Sequence, residues 1–213
     1  MTLPFMLEEF GSVIVVDWSC PDKSGEFAES LGAKVVWQPN EQYWNAAKAQ
    51  NLGSKLVNTQ YVCFIDADTL LFAGAGDYTR RLVDEATMVL SPSQDGAEEP
   101  NLGGFIAVEV ENFRSVGGYD ESFYGWSCQD LMLRAKLRVE LGLKAARLPL
   151  HCIGAIQHPN EMRQAQVKEP MVESFTNGYQ KITDYLAEHG ISDWKTDPLT
   201  SDIAFKRACH NVF

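Results

Sequence analysis

The sequence predicts an α/β fold, a parallel sheet covered by helices on both faces. Three observations carry this. Strand-like and helix-like segments alternate through the first ninety residues, the pattern of a doubly covered parallel sheet. The 213 residues are enough for one sizeable domain. Carboxylates, Asp17 and the pair Asp66/Asp68, stand at strand ends, where ligands bind in such sheets.

The elements follow in order. "LPFMLEEF" is a helix. "SVIVVDWS" is a β-branched run ended by polar residues, a buried strand. "CPDKSGEFAESLG" has Pro and Asp at its start and Gly at its stop, the marks of a short helix. "AKVVWQ" is the second strand, and "EQYWNAAKAQNLGSKLVN", rich in Ala, Lys and Leu, a helix. "YVCFIDADTLLF" is the third strand, "GDYTRRLVDEA" a helix and "TMVLSPS" the fourth strand. Pro92, "DGAEEP" and Gly103/Gly104 mark a long loop internal to one domain. A strand follows the glycine pair, then a loop rich in Gly, Tyr and Trp, then a helix from about Gln129. "KAARLPLHCIGAIQH" is strand-like, "NEMRQAQ" to "LAEHG" helical, and the final stretch a poorly patterned tail.

Composition bounds the function. The net charge of -11 disfavours a nucleic-acid binder, which needs clustered Lys and Arg. Phosphorylated small ligands remain compatible, since a divalent cation can supply the positive charge. Five scattered cysteines, without a C-x-x-C pair, read as reduced thiols of a cytoplasmic protein. No secretory leader opens the chain, and no apolar run reaches the roughly 20 residues of a transmembrane segment.

"CFIDADTLLF" carries the sharpest signal. Asp66 and Asp68 alternate on one side of a strand end. One can cap a helix. Two together suit a divalent metal, which takes hard carboxylate oxygens. The pair fits a metal-dependent phosphatase of haloacid-dehalogenase type poorly, because Thr69 follows Asp68 directly and makes the D-x-D-x-T spacing one short. The other reading is the D-x-D of nucleotide-sugar transferases, whose metal bridges the donor phosphates.

The second half separates these. "GGFIAVEVENFRSVGGYDESFYGWSCQDLMLRAKL" resembles the carboxyl-terminal motif of β-1,4-galactosyltransferases and related family 2 and 7 glycosyltransferases. "WNAAKAQNLG", Trp44 to Gly53, is similar to the helix before the D-x-D strand in that family. "VIVVDWSCPD" looks like its first acidic strand end, and "IQHP" stands where related enzymes carry a metal-binding His. The resemblance covers residues 13 to about 175 and implies a GT-A (nucleotide-diphospho-sugar transferase) fold with a mixed, mostly parallel sheet flanked by helices. It divides one domain, 1–213, into a nucleotide-binding half (1–95), an acceptor and catalytic half (100–175) and a helical tail (176–213).

It also implies an inverting transfer from a nucleotide-sugar donor, a UDP-sugar, to a glycan or other hydroxyl acceptor. Asp130 matches the catalytic Asp that takes the acceptor proton. Asp68 and His158, with Asp66, would hold Mn²⁺ or Mg²⁺; an imidazole favours Mn²⁺. Asp66 would also meet the ribose. Asp17 would accept from the base N–H, Trp44 would pack on the base, and Lys48 would reach a phosphate. Gly104, Tyr124, Trp126 and Gln129 would form the acceptor side, and the glycines around Trp126 suit a mobile lid.

Three departures stand against this. Gln129 replaces the usual Glu before the catalytic Asp. Ala46 and Gln50 stand where Arg contacts phosphate. A strand that opens GT-A folds is not seen ahead of "LPFMLEEF", which would leave unpaired backbone beside the Asp17 strand and an edge inviting a homo-oligomer. These favour the alternative of a catalytically weak nucleotide- or glycan-binding domain.

Overall fold

The computed structural model describes residues 2–94, 97–98, 102–194, 196–197 and 200. Residues 201–213 of the expected tail, including Cys209, and parts of the long loop before Gly103 lie outside them.

Helix α1 (Leu3–Phe10) has Pro4 in its first turn, where no intrahelical N–H is lost. β1 (Ile14–Asp17), α2 (Ser24–Ser30) and β2 (Lys34–Trp37) form a βαβ unit whose strands pair in parallel. α3 (Ala46–Ser54) begins later than its composition predicts. Asn45 is extended and its side chain accepts from the Lys48 N–H at 2.9 Å, so the cap excludes "EQYW" from the helix.

The expected third strand is two strands in different sheets. β3 (Tyr61–Phe64) ends at a turn closed by the Thr69 N–H on the Asp66 carbonyl at 3.0 Å. β4 (Thr69–Leu71) then leaves in a new direction. The aspartates occupy the turn, not the strand. The chain continues through α4 (Ala75–Leu82), β5 (Thr87–Leu90), a small ribbon of β6 (Ser93–Gln94) and β7 (Ala97–Glu98), β8 (Ile106–Glu109) and α5 (Val110–Ser115). α6 (Gln129–Leu141), β9 (Lys144–Arg147), β10 (Ile153–Ala155), α7 (Asn160–Gln164) and α8 (Met171–Glu188) complete it.

The central sheet has the order β3-β8-β5-β9. β8 is antiparallel to β3 and β5, while β5 and β9 are parallel. Three of the four strands therefore run one way. β10 pairs antiparallel with β4. Alternation along the central strands divides the apolar residues between two cores. Phe64, Met88, Leu90, Ile106 and Val108 face α5, α6 and α8. Val89, Phe105 and Ala107 face Met6 of α1, Ala75 of α4, Leu71 and Ile153. Among the described residues, β1 pairs only with β2 and β3 only with β8, so each keeps an edge without a strand partner.

α8 crosses the expected 175/176 boundary. Ile182 and Leu186 are buried in the main core, so this helix is part of the domain and not an appended tail. No helix among the described residues is long and apolar enough to cross a membrane.

Ile182→Ala should therefore cost about 2–5 kcal/mol, the usual range for emptying a packed aliphatic site. Leu150→Ala, at a position 51% exposed, should stay within about 0.5 kcal/mol. Urea unfolding of both variants measures the contrast.

Candidate active site

The turn after β3 gathers the acidic residues. Asp66 lies half-buried with its carboxylate directly over Gly104, where an added Cβ would stand 2.1 Å from the Asp66 Oδ2. Gly104 thus makes room for Asp66. Its expected role, close approach of backbone to an acceptor, gives way to this one, since the carboxylate occupies the space. Burial pushes the Asp66 carboxyl up to about 7, and the Asp130 and Asp68 charges add to the shift, while Arg134 and Arg163 oppose it.

Asp68 meets His158, with Nε2 and Oδ2 2.8 Å apart and both side chains about a quarter exposed. The β4–β10 pairing causes this. The ladder extends through the Ile156 N–H on the Asp68 carbonyl at 2.8 Å, and His158 follows two residues on. Residues 90 apart in sequence are thereby brought into contact.

Asp130 is the second residue of α6, where the helix dipole favours a carboxylate. Gln129 Nε2 donates to Asp130 Oδ2 at 3.1 Å. Thus the residue replacing the usual Glu contacts the candidate base. Tyr119 lies against Asp130 from below. Its phenol is pushed well up by burial, then by the Asp130 and Asp66 charges. Asn51 on α3 holds the Tyr119 main chain at both its N–H and carbonyl, each at 2.9 Å.

Tyr119 and Arg134 were not among the residues singled out from the sequence. Arg134 is fully buried and donates from Nη2 to the Gly103 carbonyl. A signal did exist, because Asp130 and Arg134 stand at i,i+4 within the apolar "DLMLRAKL", on one helix face.

Trp126 stacks on Phe175 of α8 with centroids 5.7 Å apart, and the Arg163 guanidinium lies 5.6 Å from its ring centre. The Trp126 loop is docked on α8. Ser127 Oγ donates to the Ser174 carbonyl at 3.0 Å, and Ser174 Oγ to the Trp126 carbonyl at 3.2 Å. Gly178 permits the close approach, since a Cβ there would lie 2.1 Å from Ser127 Oγ. Tyr124 is 42% exposed on the same loop, with Lys181 Nζ 5.9 Å from its ring centre.

On the donor side, Asp17 is only 6% exposed, and both its oxygens accept from backbone, Oδ1 from Cys20 at 2.9 Å and Oδ2 from Gly25 at 2.7 Å. It braces the start of α2. Trp44 is exposed at the mouth of α3, edge-on to Trp18 at 6.0 Å. Its N–H donates to the Gln166 carbonyl at 2.9 Å, which ties it to the segment carrying His158 and Arg163. Lys48 is exposed on α3.

Among the described residues no group of three or more His, Cys, Asp or Glu forms a ready metal cluster. Asp68 and His158 nevertheless suit one ion. Two donors about 2.1 Å from a metal and at right angles stand about 3 Å apart, close to the observed 2.8 Å.

Residues 8–75 match the profile described as glycosyl transferase family 2, and residues 93–164 that described as the N-terminal domain of galactosyltransferase. The chain is 23% identical over 171 residues to β-1,4-galactosyltransferase 1 of Bos taurus, a match covering 74% of this chain and 42% of that protein. It superposes on the catalytic domain of Drosophila β1,4-galactosyltransferase 7 in complex with xylobiose, with a TM-score of 0.53 and 16% identity over 75% of each chain. It also superposes on GalNAc-T7 with UDP, GalNAc and Mn²⁺, with a TM-score of 0.58 and 13% identity over 81% of this chain and 41% of that one. The fold is GT-A, and the chain resembles family 2 glycosyltransferases and β-1,4-galactosyltransferases.

Two outcomes follow from the Asp66 seat. Folded Asp66 keeps its proton up to about pH 7, while the unfolded carboxyl releases it near pH 4. The folded state binds more protons between these values, so metal-free stability should fall as pH rises from about 4 to about 7. Asp66→Asn should lack that part of the slope in urea midpoints measured across the interval. Gly104→Ala should cost about 1–3 kcal/mol through overpacking, and Asp66→Ala in the same chain should recover most of it.

Proposed function

We propose that the chain is a metal-dependent inverting glycosyltransferase that moves a sugar from a nucleotide-sugar, by preference a UDP-sugar, to a glycan or other hydroxyl acceptor. The observation that carries this is the Asp68–His158 contact beside Asp66 and Asp130. The curated relative is named for galactosyl transfer, and a structural neighbour is described with UDP, GalNAc and Mn²⁺. This chain's match spans less than half of that relative, so its donor sugar and acceptor are read only as classes.

Asp68 and His158 would hold Mn²⁺, with Mg²⁺ the less favoured ion for an imidazole-containing site. When bound, the ion supplies charge that offsets the donor diphosphate and stabilises the departing nucleotide. Asp66, pressed on Gly104, faces the ribose or steadies the metal site. Asp130 takes the proton from the acceptor hydroxyl as that oxygen attacks the sugar carbon. Gln129 orients Asp130 through its 3.1 Å hydrogen bond. Trp126, made rigid by Phe175 and α8, offers a flat face to the acceptor sugar, and Tyr124 extends it. Trp44 packs on the base, and Lys48 has the reach to screen a phosphate.

A second reading, nucleotide or glycan binding without turnover, is favoured by the engagement of Asp17 with Cys20 and Gly25 and by the neutral Gln129. Calorimetry with UDP, with and without Mn²⁺, tests the donor site. Wild type should bind UDP in a Mn²⁺-dependent manner and Asp68→Ala should not; metal-independent or absent binding in wild type overturns the proposal. Asp130→Asn should keep UDP binding and lose transfer by at least about a hundredfold, the scale of a missing general base. Sugar transfer unchanged in Asp130→Asn would remove it from the mechanism.

A further inference from the structure

Arg134 is an unusual side chain to find at 0% exposure. Its helix neighbours Leu131, Leu133 and Leu137 fill the main core with apolar groups. A guanidinium taken from water into such surroundings is costly unless charge and hydrogen bonds offset the loss. If packing were its only task, an aliphatic residue of similar length would serve better. The question is what the charge does there.

Its surroundings give the answer. Nη2 donates to the Gly103 carbonyl, one residue before the glycine on which Asp66 lies. Asp130 is one turn earlier on the same helix, at i−4, so the two side chains share a face. The Asp130 and Asp68 charges raise the cost of ionising Asp66, and Arg134 and Arg163 lower it. The two cations differ in origin. Arg163 is half-buried on α7 and lies over Trp126, so it reaches the site from its outer side. Arg134 reaches it from the core, through α6.

We propose that Arg134 is a positioning residue for the carboxylate pair: its buried guanidinium is the shared counter-charge of Asp66 and Asp130, and it fixes the Gly103–Gly104 backbone on which Asp66 rests. The proposal builds on the donor-site reading, in that the pair is what meets the metal-bound nucleotide and the acceptor. Asp66 and Asp130 belong to segments 64 residues apart in sequence, a turn and a helix start. Nothing local holds them at a set distance. A planar cation with donors in a fixed fork can serve both and a backbone carbonyl at once.

The test is a stability cycle on the full chain without nucleotide or metal, at about pH 9 where Asp66 is ionised, with urea midpoints for wild type, Arg134→Met, Asp66→Asn and the double variant. Arg134→Met leaves the carboxylates without their inner counter-charge, and its midpoint should fall. Asp66→Asn removes one of the charges, so the double variant should recover at least half of that fall, a non-additivity expected of coupled groups. A double variant that loses the sum of the single effects makes Arg134 a packing residue and overturns the proposal. If Arg134→Met does not fold alone, folding of the double variant supports the proposal and its failure to fold overturns it.

The second arm separates position from structure. Arg134→Lys, which keeps the charge and loses the fork, should lose less Mn²⁺-dependent UDP affinity than Arg134→Met, which should lose about tenfold or more, about 1.4 kcal/mol. Equal loss in both variants, or none in Arg134→Met, overturns the positioning role. Wild type that binds no UDP with Mn²⁺ sinks the donor-site reading instead, and the nucleotide-free cycle still decides the role of Arg134.

Discussion

Three carboxylates are held within one another's field at the end of β3 and the start of α6, and much of the structure is arranged around that cost. Asp66, Asp68 and Asp130 repel, and Asp66 is in addition drawn out of water. Left to themselves, like charges in a half-buried site would separate or take up protons. Here each is held by something different. Asp66 is pressed onto a residue with no side chain, Asp68 is met by an imidazole, and Asp130 sits at a helix N-terminus with an amide beside it. A buried guanidinium stands behind them.

The scaffold distributes this load across the chain. The β4–β10 ladder carries His158 to Asp68. α3 secures Tyr119 through Asn51, and Tyr119 packs edge-on to Phe64 of β3 at 5.1 Å. α8 backs the Trp126 loop with Phe175, Ser174 and Gly178. The residues proposed to touch donor, metal and acceptor thus rest on elements from both halves of the chain. This argues for reading the two matched family segments as one working unit.

Glycine and glutamine positions illustrate how a motif can be right while its reason is not. Gly104 belongs to a glycine pair expected to admit an acceptor, yet the space beside it is filled by Asp66. Gln129 departs from the acidic residue of similar enzymes, yet it keeps a hydrogen bond to Asp130. Asp17 stands at a strand end suited to ligands, and both its oxygens go to the backbone of the next helix. In each case the residue type permits two uses, and the neighbours choose between them.

What the sequence determined by itself were features set by local physics. The alternation of β-branched runs with helical segments marked the α/β class. The Gly stop after "AESL" and the apolar period from Gln129 located α2 and α6 closely, because caps and periodicity act over a few residues. Asp66, Asp68, Trp126 and Asp130, in that order, pointed to the candidate site. Tertiary structure alone decided where "YVCFIDADTLLF" breaks, because the break depends on β4 finding β10 some eighty residues later. It alone made α8 part of the core, and it alone revealed Arg134 as a buried charge. A strand's partner, a helix's docking face and a side chain's burial are each set by residues distant in sequence, and no local pattern fixes which of them will meet.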